Sequence, residues 1–583
     1  MTKYLFRISD CFLTFIYHIN IAPARTDNFR LTFSAFLLQI MDPNLLPAVL
    51  RTTLPPKLEK IKNGSYTEND NDYPIHLYLK ENDIRVQEDG SDIIQFLKRK
   101  NLLITGATGF LGKLLLEKLL RCCKDIGTIY VVIRTKKGVD PQSRLEDFLN
   151  NWVFCKLSQI RPNYKDNVVG ISGDFEFDGL GLSNESRGIL TENVRKSNQS
   201  LLMFKLFYSS IELMLILKQN IQSTVRFDEP LKRAVKINIE GSQQIIQLAK
   251  ECKKLDVFVH ISTAYSNCQE KLIKEDFYPP HIDPYKLMLM TKELPDDILE
   301  KITPGMLQSI PNTYLYTKQI SEDLVKREAV GLPACIQRPA IVIASAKEPI
   351  RSWVDNIYGP VGVMQGAAIG LLHISPVNAN GIAECVPADF VINNCIAASY
   401  KTVKERKLGQ IPIYNFTSSN SNPLHWKDLL YIVKKIGSKI LVSKVFFKFT
   451  SCWSWLRLAH RKIEKFIISV VHFTLNEWKF IDRNTQCLWD ELNDRDKENF
   501  PFDIKVLDWQ DYFDTSLVAL REFVSMDFLD TLDEGRMLML KLDIIHYTFV
   551  TLLLGFSVYL LANTIFFFIP LLFVGVTIFY LFP

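Results

Sequence analysis

The chain has 583 residues, 47% of them hydrophobic and 23% charged, with a formal net charge of +5. That is too long for one ordinary core, so two or three domains are expected, and basic residues interleaved with acids argue against a nucleic-acid partner. The 11 cysteines form no Cys-x-x-Cys pair and no His/Cys cluster of zinc spacing, so no metal site is expected and the thiols read as reduced and buried.

In chain order, residues 1–95 read as an N-terminal extension, poorly structured at its start. Its apolar run Cys11 to Ile21 lies between Arg7 and Arg25 and is too short to span a bilayer; Asp10 and His18 spoil it as a signal-peptide core. Met41-Asp42-Pro43-Asn44 opens more ordinary sequence. The part upstream is expected to be a dispensable extension or a misplaced start, which native peptides from before Met41 would refute.

At Asn101 the texture changes. Asn101 to Thr105, Ile129 to Ile133, Val168 to Ile171 and Val257 to Ile261 are short apolar runs of the kind that form buried parallel strands. Helical patterns separate them, with leucines spaced along Phe110 to Cys123 and further helices over Asn238 to Cys252 and Tyr314 to Glu328. This alternation predicts an α/β fold, a doubly wound parallel-sheet Rossmann domain over residues 96–400. Residues 401–543 lose the alternation and read as a mostly helical C-terminal domain.

Between the first strand and its helix stands Gly106-Ala107-Thr108-Gly109-Phe110-Leu111-Gly112. The first glycine permits a tight turn, the second lets backbone approach a pyrophosphate, and the third lets helix pack on strand. Free N–H groups at the helix start then face the phosphates. A bare glycine pattern is weak; its place between strand and helix favours a dinucleotide over a plain turn. At the end of the second strand a carboxylate would hold a ribose 2′-hydroxyl, whereas here stand Arg134, Lys136 and Lys137. Cations there suit the 2′-phosphate of NADPH, the bland alternative being a solvated basic loop. Asp174, after the third strand, sits where an adenine contact is expected.

Tyr314 and Lys318 are four residues apart, so both project from one helix face. A neighbouring ammonium is expected to lower the phenol's pKa and let Tyr314 protonate an oxygen that gains charge as hydride arrives at carbon. Lys318 would also hydrogen-bond the nicotinamide ribose. Thr263 ends the strand before that helix, at the edge where such sheets bind ligands, and its hydroxyl can donate to the same oxygen. Ser262 is the fallback.

From Ile544 to Pro583 there is no Lys, Arg, Asp or Glu, and about twenty apolar residues suffice to cross a bilayer. Residues 544–583 therefore read as transmembrane, as one generous span or a tight hairpin. Pro570 and the Leu561-Ala562-Asn563 break favour two half-length elements or a kink. Arg536 and Lys541, just before it, place the main body in the cytosol.

Taken together, Thr105 to Gly112, Arg134 to Gly138, Gly179 to Ser183, Val225 to Glu229, His260 to Asn267, Pro311 to Lys318, Arg338-Pro339 and Asp355 to Pro360 resemble the extended short-chain dehydrogenase/reductases, and among them the fatty acyl-CoA reductases of insect type. Trp478 to Phe480, Leu488 to Leu492 and Phe502 to Ile504 resemble that family's C-terminal domain. The resemblance implies reduction of long-chain acyl-CoA to a primary alcohol through an aldehyde, with release of CoA and two NADPH consumed. It implies a lipid bilayer as partner, the endoplasmic reticulum favoured over the peroxisome. Tyr314, Lys318 and Thr263 take the roles above, Asn238 a structural or proton-relay place, and Pro339 a place in the cofactor site.

One departure stands out. The fold needs a fourth strand ending in small residues, yet Ser197 to Ser223 offers Leu201 to Phe204 and Leu213 to Leu217, without the expected His and Ala-Ala step. A divergent or inserted helix is one reading; a replaced exon that damages the cofactor pocket is the sharper one. A catalytically impaired membrane-bound homologue therefore stands as an alternative, beside other reductases of this fold such as a hydroxysteroid dehydrogenase or a sugar-nucleotide epimerase.

Overall fold

The computed structural model describes residues 86–581 apart from 135–138, 192–212, 218–228, 253, 369–371, 373–374, 407–408, 438–466, 469, 526 and 528–530. The apolar run at Cys11, the Met41 boundary and Lys136 thus lie outside the described residues.

Seven strands make one parallel sheet: β1 (Asn101–Thr105), β2 (Ile129–Ile133), β3 (Val168–Ser172), β4 (Leu213–Leu217), β5 (Leu255–Ile261), β6 (Ala334–Pro339) and β7 (Ile413–Phe416). Their spatial order is β7-β6-β5-β4-β1-β2-β3. The chain winds outward in one direction from β1 and in the other from β4, so the topological switch lies between those two, where doubly wound sheets open a crevice at their carboxyl ends. β1 pairs Asn101 with Leu213 through Thr105 with Leu217 on one side and Leu102 with Ile129 on the other. Strands covered on both faces need apolar residues at every position, not alternate ones. Leu102, Leu103, Ile104, Ile129, Val131 and Phe258 are accordingly buried.

The departing stretch corrects one expectation. Leu213–Leu217 is a strand, not an inserted helix, and it pairs with both β1 and β5. Five consecutive apolar residues fit a doubly covered strand, and the slot between β1 and β5 offers hydrogen-bonding edges on both sides. β7, paired with β6 from Ile413 on Ile336 to Phe416 on Pro339, comes from beyond residue 400, so the sheet takes its last strand from the stretch read by sequence as helical.

Five helices matter for the site: α1 (Phe110–Cys122), α2 (Gly241–Glu251), α3 (Thr313–Glu328), α4 (Ala388–Glu405) and α5 (Leu532–Leu581). α1 is buried all round, including Glu117, Lys118 and Arg121. These charges meet Glu348, which takes contacts from both Lys118 and Arg121, while Arg121 also binds Glu117 at 2.8 Å. Lys118 donates to the Asn499 carbonyl at 2.6 Å and Asn393 of α4 donates to Glu348 at 2.9 Å and to the Pro501 carbonyl at 2.8 Å. The chain after residue 495 is thereby tied to the helix that opens the glycine turn. A two-strand parallel pair, Leu272–Ile273 with Lys479–Phe480, makes a second tie.

α5 is one unbroken helix of 50 residues, about 75 Å at 1.5 Å per residue. It passes through Pro570, where two half-length elements or a kink were expected, without dividing in two; a proline removes one N–H bond, and a long apolar helix tolerates that without ending. Within Leu532–Asn563 an 18-residue stretch reaches a mean hydropathy of 1.9, and none of that stretch is buried against the body.

Candidate active site

β1 ends in a turn that only glycine permits at its first position, Gly106 having φ 67°. Gly109 then caps α1 with no side-chain bond to the helix, leaving the first-turn N–H groups of Phe110, Leu111 and Gly112 without intrahelical acceptors. A Cβ on Gly112 would lie 2.4 Å from the Gly106 carbonyl oxygen and 2.6 Å from the Ala107 Cα, so helix and turn touch backbone to backbone. Thr108 stands half-buried in the turn, and Phe110 and Leu111 are buried behind it. The cradle fits a dinucleotide pyrophosphate: tight turn, free donors and the positive end of a helix dipole at the switch point.

Arg134 follows β2 directly. Its Nη1 lies 3.9 Å from Glu176 Oε1, an oxygen that Arg233 also approaches at 3.1 Å. Arg134 Nε is buried with no hydrogen-bond partner among the described residues. Arg233 is held by Glu229 as well, at 3.2 Å, and Arg134 meets Glu176 only at 3.9 Å, so the Arg134 guanidinium is loosely engaged at the strand end, which suits a phosphate. Asp174 lies in the turn after β3, where its Oδ1 accepts from the Glu176 N–H at 3.0 Å and its own N–H donates to the Leu180 carbonyl at 2.8 Å.

On the other side of the switch point, β5 ends at Ile261 and the chain enters a short 3-10 turn, Ala264–Asn267, capped by Thr263. The Thr263 hydroxyl oxygen accepts from the Tyr265 N–H at 3.3 Å, which uses a lone pair and leaves its proton to donate elsewhere. Ser262 Oγ is buried with no partner among the described residues. Lys318 Nζ donates to the Ile261 carbonyl at 3.0 Å and stands 5.8 Å from the centre of the Tyr314 ring. One backbone carbonyl thus brings Lys318 to the strand end that carries Thr263. Asn238 sits in a π-helical turn, Lys236–Glu240, and donates to Thr317 Oγ1 at 2.8 Å, the residue before Lys318. Pro339 closes β6 next to β7, pairing with Phe416.

The electrostatics differ from the expectation for the phenol. Burial pushes Tyr314 up to about 12, and no lowering by Lys318 offsets it. Burial also brings Lys318 down to about 8, although the Glu322 carboxylate pulls the other way. An ammonium turned to a backbone carbonyl is a weak stabiliser of phenolate, so desolvation wins. Such a phenol stays protonated at neutral pH and can only give its proton. His260, next to Lys318 and buried, is held well below its ordinary range by burial and then by the Lys318 and Arg338 charges, hence neutral.

Sequence reading missed the polar groups behind the pair. Glu322, four residues past Lys318, receives Arg338 at 2.6 and 2.9 Å and Ser266 at 3.0 Å. Its helical spacing from Lys318 was the one available signal. Among the described residues no cluster of His, Cys, Asp and Glu could hold a metal; Cys122 and Cys123 are buried and free.

Two family models, both described as male sterility protein, match in order: an NAD-binding part over residues 104–196 and 219–395, and a second over residues 439–527. The first match is interrupted over residues 197–218, the stretch that departs in sequence and supplies β4. Fatty acyl-CoA reductase wat of Drosophila melanogaster is 33% identical over 525 residues, covering 85% of this chain and 95% of its own. Fatty acyl-CoA reductase 1 of Mus musculus is 32% identical over 493 residues (79% and 92%), and fatty acyl-CoA reductase 2 of Bos taurus 31% over 495 residues (79% and 92%). Among solved structures, the reductase domain of a non-ribosomal peptide synthetase from Mycobacterium tuberculosis is similar with a TM-score of 0.46 at 15% identity, covering 79% of this chain and 99% of that one. With both family models in register and such identity over four-fifths of its length, the chain belongs to the fatty acyl-CoA reductase family and is an oxidoreductase that uses a nicotinamide cofactor.

Proposed function

We propose that this protein reduces long-chain fatty acyl-CoA to the primary alcohol through an aldehyde, releasing CoA, with NADPH as reductant. The observation that carries the reading is Lys318 bonded to the Ile261 carbonyl, which gathers Lys318, Tyr314 and Thr263 at one strand end across the switch point from the glycine turn. Bound in that cradle, NADPH supplies the hydride. Gly106, Thr108, Gly109, Phe110, Leu111 and Gly112 would hold its pyrophosphate; Arg134, with Lys136, would answer the 2′-phosphate; Asp174 would serve the adenine, and Asn238 and Pro339 the nicotinamide side. Thr263 donates its hydroxyl proton to the substrate carbonyl oxygen. Tyr314, kept protonated by burial, gives its proton to the same oxygen as charge grows there. Lys318 orients the ribose and the phenol.

The apolar helix α5 supports membrane attachment, with a cytosolic catalytic body over 96–400 whose sheet β7 completes, a C-terminal domain over the rest of 401–543 and an anchor over 544–583, in the endoplasmic reticulum. A bilayer is a sensible station because each CH₂ of an acyl chain favours apolar surroundings by about 0.8 kcal/mol.

A second reading, a catalytically impaired homologue, is favoured by the interrupted family match over 197–218. One assay separates the two. Detergent-solubilised protein given palmitoyl-CoA and NADPH should yield hexadecanol, and Tyr314→Phe should lower kcat by about 10²-fold or more. Cofactor binding without alcohol in the wild type would establish the impaired reading.

A further inference from the structure

We propose that Glu322 is a positioning residue: through Ser266 and Arg338 it holds the Thr263 turn, the Tyr314–Lys318 turn of α3 and the end of β6 in fixed relation. The proposal rests on the active-site reading above. Its observation is a closed set of five side chains, each no more than 3% exposed: Ser266, Asn267, Gln319, Glu322 and Arg338.

Both carboxylate oxygens of Glu322 are engaged. Oε1 accepts from Ser266 Oγ at 3.0 Å and from Arg338 Nε at 2.9 Å, and Oε2 accepts from Arg338 Nη2 at 2.6 Å. Arg338 also donates to the Lys274 and Asp276 carbonyls, each at 3.0 Å. Ser266 accepts from Asn267 Nδ2 at 3.1 Å, and Asn267 Oδ1 accepts from Gln319 Nε2 at 3.0 Å, which returns the network to α3 beside Lys318. Each contributing segment carries a proposed site group within one helical turn: Ser266 follows Thr263, Gln319 and Glu322 follow Lys318, and Arg338 precedes Pro339.

A buried ion pair is poor evidence of a stabilising device, since apolar packing of the same volume does as well. What it fixes is geometry, because a fork-on-fork Arg–carboxylate pair tolerates little displacement or rotation. The charge also reaches the ammonium. The titratable groups near Lys318 are Tyr314 and Glu322 on its own helix and His260 on β5, which the Arg338 charge on β6 also reaches; Glu322 is the one that favours the protonated form, and His260 is neutral.

The test uses full-length protein in detergent with NADPH and palmitoyl-CoA. Glu322→Gln keeps the side chain's shape and removes its charge. The expected result is a kcat lowered about tenfold to a hundredfold, an unchanged KM for palmitoyl-CoA, and an alkaline limb of the kcat profile moved to lower pH. Ser266→Ala, which leaves every charge in place, should lower kcat without moving that limb. A folded Glu322→Gln enzyme with wild-type kcat and limb overturns the proposal, as does a loss that tracks only the folded fraction in thermal melts. Failure of the active-site reading shows separately, as full activity in Tyr314→Phe.

Discussion

Gly112 has no room for a methyl group. With backbone atoms of Gly106 and Ala107 at 2.4 and 2.6 Å from its ideal Cβ, Gly112→Ala must push α1 off the turn. Overpacking of this kind costs about 1–3 kcal/mol, and the cradle opens with it. The variant should melt lower and bind nicotinamide cofactor at least about tenfold more weakly, as read by cofactor fluorescence. Lys318 carries the pH dependence. Its burial brings it to about 8 from 10.5, so the folded protein disfavours the ammonium; this costs stability below about 8 and fades toward 10.5. If the ammonium is the working form, the reduction rate falls as pH rises through about 8. A kcat profile measured from pH 6 to 10 checks it; a flat profile across that range would refute the assignment. That Tyr314 and Lys318 are neighbours was legible from spacing alone, whereas the direction of the phenol's shift was not. Spacing tells which groups are neighbours; burial, set by the whole fold, tells which protonation state survives.

Helix α1 joins the glycine turn to the rest of the molecule through charges that a sequence presents as a solvated face. Glu348 is the hub. Burial pushes its carboxyl up, but Lys118 and Arg121 more than reverse this and hold it at about 2. Its contribution to stability is therefore complete above its ordinary 4.5 and is lost as pH falls toward 2. Glu348→Gln leaves Lys118 and Arg121 buried without their shared partner, a loss of about 3–5 kcal/mol. Denaturant titration should show it at neutral pH, with a shallower acid loss in the variant than in the wild type. The strands show the opposite case. β1, β2 and β5 were legible because a strand covered on both faces must be apolar throughout; the edge strand β3 leaves Val169 exposed and was legible only as a short apolar run. Leu213–Leu217 has the same texture but lies among other apolar runs, so periodicity could not separate strand from helix; the slot beside β1 decides it. Ile413–Phe416 is short and polar at Asn415, and only its partner β6 marks it as a strand.

At the scale of the molecule, α5 stands apart from the body over an 18-residue stretch within Leu532–Asn563 that has a mean hydropathy of 1.9 and no buried residue. From Ile544 to Asn563 the helix carries no Lys, Arg, Asp or Glu, and apolar surface exposed in this way is costly in water, at about 25 cal/mol per Å². A chain ending at residue 543 should remain in the supernatant after carbonate extraction and centrifugation, while the full chain stays with the membrane pellet. Recovery of both in the supernatant would refute the anchor. The apolar tail was plain in composition; its continuity through Pro570 was not, because a proline's effect on a helix depends on what surrounds it.

Strand β7 has a further consequence for how the protein is made. Until the ribosome has passed Phe416, β6 presents a bare row of amide and carbonyl groups to whatever strand arrives first. The nascent chain carries that open border through the whole synthesis of α4, a window in which pairing with a neighbouring copy competes with completion of its own sheet.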